Sequence, residues 1–227
     1  VLKSRVDECA PFENVYTLAL RGLHDRAMNA SNNMSDRKEM LQEALMAQRQ
    51  MLVDAIGKRA EDIPQAFTPY KEVLDVYDQG LELPDDVTII WPDDNYGYMK
   101  RLSSPKEQKR SGRSGVYYHS SYLGKPHDHL WMNTTSPTLM YEELRKAYDL
   151  TADRIWLLNA GDIKSCEFAV DYFLTMAFDI DSFNFERAAN YRTEWLCGML
   201  GNDYRNEYQD VINSFYKLAF ARKPEFM

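Results

Sequence analysis

Two carboxylates stand at the ends of apolar, β-favouring runs early in the chain. Asp25 closes the stretch Val15-Tyr16-Thr17-Leu18-Ala19-Leu20-Arg21-Gly22-Leu23-His24-Asp25, and Glu72 comes near the end of Gln65-Ala66-Phe67-Thr68-Pro69-Tyr70-Lys71-Glu72-Val73. Paired acids at strand ends are the equipment of glycoside hydrolysis. One is protonated to help the leaving group depart, and the other is ionised to activate water or to stabilise a cationic ring. The same residues have a plainer reading as ion pairs, Asp25 with Arg21 and Glu72 with Lys71 or a neighbouring arginine. With 35 acidic residues in the chain, position alone does not separate the two readings.

A second chemistry is open to the histidines. His24, His119, His127 and His129, with Asp25 and Asp128, are of the types that bind divalent metals. However, His127-Asp128-His129 follows Gly124-Lys125-Pro126 in what reads as a loop, so these two histidines are expected at a rim and no metal is expected. Asp93-Asp94-Asn95 could bind a metal, cap a following helix or hydrogen-bond a polar substrate. Asn95 and Asn159 are neutral donor-acceptor groups suited to sugar hydroxyls or to Asx turns.

These groups share a setting. Val15 to Leu20, Gln65 to Val73, Val87 to Trp91, Val116 to Tyr118 and Ile155 to Leu158 are each apolar runs that end in polar residues and lead through loop signals to helical patterns. Residues 1–14 read as charged and irregular. Ser35 is placed to cap a helix in which Met40, Leu41, Ala44, Leu45, Met51, Leu52, Ala55 and Ile56 recur at helical spacing, and Gly57 is its stop. Val87 to Trp91 is apolar throughout, as a strand covered on both faces must be. Helices are expected at about 137–148 and 166–178, and everything from Asn184 onward reads as helical.

The expected fold is therefore α/β, a (β/α)8 TIM-barrel-like catalytic domain present as a partial barrel: a βα-repeat portion over 1–183 and a helical extension over 184–227. Five strands cannot close a barrel that needs eight. In such a fold the strands' carboxyl ends carry the chemistry.

Composition excludes several functions. A net charge of −8 argues against nucleic acid, whose binding draws on lysine and arginine, and the one basic cluster, Lys106 to Arg113, reads as a solvated loop. Three cysteines without metal-like spacing define no disulfide framework. There is no apolar run of membrane length, so no membrane partner is expected. No phosphate-binding loop, nucleophile elbow or dinucleotide fingerprint is present, and no cofactor is expected. Aromatic residues are abundant at 13%, which suits a ring-binding cleft as well as a core.

The ordered set Val15 to Asp25, Pro69 to Val73, Trp91-Pro92-Asp93-Asp94-Asn95-Tyr96-Gly97, Gly115 to His119 and Ile155-Trp156-Leu157-Leu158-Asn159-Ala160-Gly161-Asp162 resembles the catalytic barrel of glycoside hydrolase family 115, the α-glucuronidases. The resemblance runs from about residue 10 to Glu225. It implies an inverting hydrolase that removes glucuronic or 4-O-methyl-glucuronic acid linked α-1,2 to xylose, with glucuronoxylan or its oligosaccharides as partner. It implies that Glu72 is the catalytic acid and Asp25 a second essential carboxylate. Arg21 would meet the uronic acid carboxylate, with Asn95, His119, Tyr122 and Asn159 at other pocket positions. It also implies a longer enzyme with a further acidic site residue upstream, secreted or periplasmic, a homodimer of the full-length protein being left open. The loop from Gly124 to Trp131 departs from the family's usual Gly-Gly-Pro-Arg pattern. From the residues alone, a metal-dependent barrel hydrolase and a non-catalytic sugar-binding module remain alternatives.

Overall fold

The structure is a computed structural model that describes residues 2–22, 26–28, 33–122 and 133–222. Its elements alternate as the sequence grammar requires: α1 (Leu2–Cys9), β1 (Tyr16–Leu18), α2 (Met34–Ile56), β2 (Gln65–Phe67), α3 (Glu72–Asp78), β3 (Thr88–Pro92), β4 (Ser114–His119), α4 (Pro137–Asp149), β5 (Trp156–Asn159), α5 (Ile163–Phe178), α6 (Phe185–Leu200) and α7 (Arg205–Ala221). The strands follow chain order in the sheet, and the registered pairs β1–β2, β2–β3 and β4–β5 are parallel. The fold class is α/β, a partial TIM-like barrel.

Three expectations need correction. Residues 2–9 form a helix. The stretch 65–73 is a strand only as far as Phe67, because Pro69 removes a backbone donor and Lys71 adopts φ 52°, which no strand accommodates. The cap of α2 is Asn33, whose side chain accepts from the Ser35 amide, and not Ser35 itself.

The chain divides into two compact units. The first comprises residues 1–91, 103–115 and 151–154. Here β2 is buried at every position, and so are Thr88, Ile89, Ile90 and Trp91 of β3. Burial on both faces explains why the runs are continuous rather than alternating. One polar residue in that layer, Gln65, is fully engaged: its amide donates to the carbonyls of Ala60 and Ile63 and its oxygen accepts from Arg49, which also pairs with Asp86 at 2.8 Å. Arg49 thereby ties α2 to the sheet. Leu41, Leu45 and Leu52 bury the apolar stripe of α2, and Gly57 ends the helix at φ 73°. Gln48 bridges both backbone groups of Ala19, just past β1. Tyr77 of α3 packs on Phe67 and edge-on against Trp91, whose indole donates to Ser103.

The second unit comprises residues 92–102, 116–150 and 155–227. Its core joins Tyr118 of β4 and Trp156 of β5 to Phe173 of α5. Met140, Leu144 and Ala147 of α4 are wholly buried at spacings of four and three. Ser136 caps α4 and Pro137 opens it, the usual N-terminal pairing. Arg192 of α6 lies over the rings of Phe168 of α5 and of Phe215 and Tyr216 of α7.

Candidate active site

The first unit holds a carboxylate and a guanidinium gripping one another. Arg21, three residues past β1, donates from Nε to one oxygen of Glu72 and from Nη2 to the other, each at 3.2 Å. This is the two-pronged geometry that an arginine fork makes with a carboxylate. Both side chains are about four-fifths shielded. Tyr70 lies beside the pair, with the Arg21 guanidinium 5.3 Å and the Lys71 ammonium 5.1 Å from its ring centre.

Glu72 is therefore the first residue of α3 and not the last of a strand. The short path from β2 turns on the Tyr70 amide donating to Thr68 and on the positive φ of Lys71, a conformation that costs on the order of 1–3 kcal/mol outside glycine. Alternation along a strand does not separate Lys71 from Glu72, as it would in an extended run. Asp25, His24, His127, Asp128 and His129 lie outside the described residues. A cleft of about 660 Å³ in this unit is lined by Phe12, Val15, Tyr16 and Pro64. It lies at the amino ends of β1 and β2, the wrong end of parallel strands for catalysis.

The second unit gathers the ends of three successive strands. Asp93 follows β3, His119 ends β4 and Asn159 ends β5, with His119 and Asn159 opposite one another in register. Asp93 is buried completely, and both its oxygens are acceptors. Oδ1 meets His119 Nδ1 at 2.6 Å and the Asn95 amide at 3.1 Å, and Oδ2 meets the His119 amide at 3.1 Å. Asn95 sits at φ 70°, a conformation that asparagine tolerates better than most residues. The His119 ring lies 4.5 Å from Tyr117 and edge-on to Tyr122 at 5.7 Å. Asn159 donates from its side chain to the Tyr117 hydroxyl, and its carbonyl accepts from Ser120 and Ser121.

Asp93 is thus neither a helix cap nor, among the described residues, a member of a cluster able to hold a metal. Both Asp93 and His119 stand out in the sequence, but their pairing does not. The usable signal was positional, since Asp93 and His119 terminate consecutive strands. Tyr117, two residues before His119, was missed for the same reason.

A parallel α/β chain with acidic, basic and amide groups at its strands' carboxyl ends defines the class of a barrel-type enzyme domain. The family model for glycosyl hydrolase family 115 matches residues 1–226, and the chain belongs to that family. The chain is also similar to a solved family GH115 4-O-methyl-α-glucuronidase, BtGH115A, with specificity for decorated arabinogalactans. The two share 42% identity at a TM-score of 0.93 over 99% of this chain. The match spans 30% of that longer protein. No curated protein matches.

Proposed function

We propose that this chain is part of the catalytic domain of an α-glucuronidase that releases glucuronic or 4-O-methyl-glucuronic acid side chains from a decorated polysaccharide with inversion. Membership in a glycosidase family supports hydrolysis of a glycosidic bond. The observation that carries the uronic acid is the Arg21 fork, already organised around a carboxylate by Glu72. A carboxylate is what distinguishes a uronic acid from a neutral sugar, and a planar five-donor group recognises it better than a point charge.

In this reading Glu72 and Asp25 are the catalytic carboxylates, and Arg21, Asn95, His119, Tyr122 and Asn159 bind substrate. Both oxygens of Glu72 accept from Arg21, so delivery of a proton by Glu72 requires that pair to loosen when substrate arrives. An incoming uronate competes for the same fork. Inversion asks for carboxyl groups roughly 6.5–9.5 Å apart, with room for a water.

The resemblance favours glucuronoxylan as the polymer, with α-1,2 linkage to xylose, and export to the periplasm or the medium, since polymeric xylan stays outside cells. Decorated arabinogalactan is a second reading, favoured by the solved relative. The test is uronic acid release by the full-length parent from both polymers, with Glu72→Ala alongside. Release from xylan, with the variant folded and slowed by several orders of magnitude, supports the first reading. Release from arabinogalactan alone moves the proposal to the second. An inactive parent overturns the uronidase reading.

A further inference from the structure

The loop that follows β3 is held by hydrogen bonds at both ends and at its tip. Asp93 and Met99 close it as an antiparallel bridge. Asp94 spans the interior: its Oδ1 accepts from the amides of Tyr96 and Tyr98 at 2.8 and 3.1 Å, and its own amide donates to the Tyr98 carbonyl at 2.8 Å. Glu143 of α4 accepts from the Met99 amide at 2.7 Å, and Tyr118 of β4 donates to the Gly97 carbonyl at 2.9 Å. At Gly97, whose φ is 99°, a Cβ would fall 2.7 Å from the Thr135 methyl and 2.8 Å from the Tyr118 hydroxyl, so the tip is seated without slack.

One side chain of this loop takes no part in holding it. Tyr98 is 44% exposed, and among the described residues its ring and hydroxyl make no hydrogen bond, ion pair or ring contact. A single exposed aromatic is ordinary on a mobile surface. On a backbone bonded this fully it is a flat apolar surface with little entropy left to lose on binding. The loop leaves the carboxyl end of β3, the end at which such folds place their chemistry, and Asn95, three residues before Tyr98, is a substrate position in the reading above.

We propose that Tyr98 is a stacking platform for a neutral pyranose ring of the polysaccharide main chain, the ring adjoining the one that bears the uronic acid. One face of a pyranose is a plane of C–H groups that matches a tyrosine ring in size and polarity, while its hydroxyls point outward to water. The uronic acid carboxylate has its matching charge at Arg21, so the ring left for Tyr98 is an uncharged one. This rests on the α-glucuronidase reading and adds recognition of the main chain to recognition of the side group.

The experiment compares Tyr98→Ala and Tyr98→Phe with wild type in the full-length parent, each checked for folding by circular dichroism. Two substrates are used: an oligosaccharide of several main-chain sugars bearing one uronic acid, from whichever polymer the parent cleaves, and the disaccharide of uronic acid on a single main-chain sugar. The readout is the ratio of kcat/KM on the oligosaccharide to kcat/KM on the disaccharide. Loss of the stacked ring predicts a ratio lowered about three- to tenfold in Tyr98→Ala, carried by KM, and a wild-type ratio in Tyr98→Phe, which keeps the ring.

Three results overturn the inference: a wild-type ratio in Tyr98→Ala, a loss of equal size on both substrates, or a ratio lowered as far in Tyr98→Phe as in Tyr98→Ala. Where Tyr98→Ala does not fold, Tyr98→Gln, which keeps bulk without a ring, decides in its place by the same ratio. A wild-type parent that releases no uronic acid removes the underlying reading, and the inference falls with it. An active parent with a wild-type ratio in Tyr98→Ala leaves that reading standing and removes only the platform.

Discussion

Arg21 and Lys71 are both basic and both lie over Tyr70, yet only Arg21 can present two parallel N–H groups to a carboxylate. Arg21→Lys in the full-length enzyme should keep the charge and lose the fork. The expected cost is about 10- to 100-fold in kcat/KM on uronic acid substrates, read by steady-state kinetics. An unchanged kcat/KM would mean that Arg21 serves only its pair with Glu72. A second residue-scale prediction concerns Tyr118, whose hydroxyl donates to the Gly97 carbonyl and whose ionisation burial pushes well above the usual tyrosine range. The unfolded chain ionises this phenol from about pH 10 while the fold keeps it neutral, so its stability contribution is complete below pH 10 and is lost as pH rises toward the folded value. Denaturant unfolding between pH 9.5 and 11 should show stability falling by up to ~1.4 kcal/mol per pH unit for this group. Tyr118→Phe should remove that share of the slope. At neutral pH the same change should cost about 1 kcal/mol, because the hydroxyl's partner loses its donor.

At the scale of elements, α2 is specified from both ends and along one face. Asn33 supplies the cap, Gly57 takes the left-handed closing position, and Leu41, Leu45 and Leu52 form the buried stripe. Asn33→Ala should cost about 1 kcal/mol, and Gly57→Ala a similar amount through its positive φ. Leu45→Ala, which empties a fully buried site, should cost about 2–5 kcal/mol. Chemical denaturation of the three variants orders them, and a Leu45→Ala loss no larger than that of the cap variants would contradict the packing described for α2. The path from β2 to α3 is a different kind of element. It is short, carries a non-glycine residue at positive φ, and delivers Glu72 to Arg21 at a backbone cost. Its strand-like composition concealed that turn, because Tyr70 and Val73 favour strands wherever they occur.

At the scale of the whole molecule, the helices after β5 leave several large apolar side chains exposed. Phe178, Phe220, Leu218, Val211 and Met199 are each more than half exposed, and Val211 and Leu218 lie seven residues apart on one face of α7. The 227-residue chain by itself should bind an apolar dye and self-associate at micromolar concentration. Val211→Lys with Leu218→Glu should reduce both, as read by dye fluorescence and sedimentation. A monomeric, dye-negative wild-type chain would contradict this view of the surface. Among the described residues no helix is long and apolar enough to cross a membrane.

By itself the sequence determined the periodic and local features. Apolar runs bounded by turn residues marked the five strands, and in β3 burial on both faces explains why the run is continuous. A leucine stripe with a closing glycine marked α2, and the helical pattern at about 137–148 marked α4. It also placed Asp93, His119 and Asn159 at successive strand ends, because the βα rhythm counts them off. Only the tertiary structure decided which groups meet. That Arg21 grips Glu72 across fifty intervening residues, and that Asp93 is spent on His119 and two backbone amides, depends on strand register and on one strained turn. Neither leaves a periodic trace, because a hydrogen bond between side chains distant in sequence is fixed by where the backbone carries them and not by which residues lie beside them.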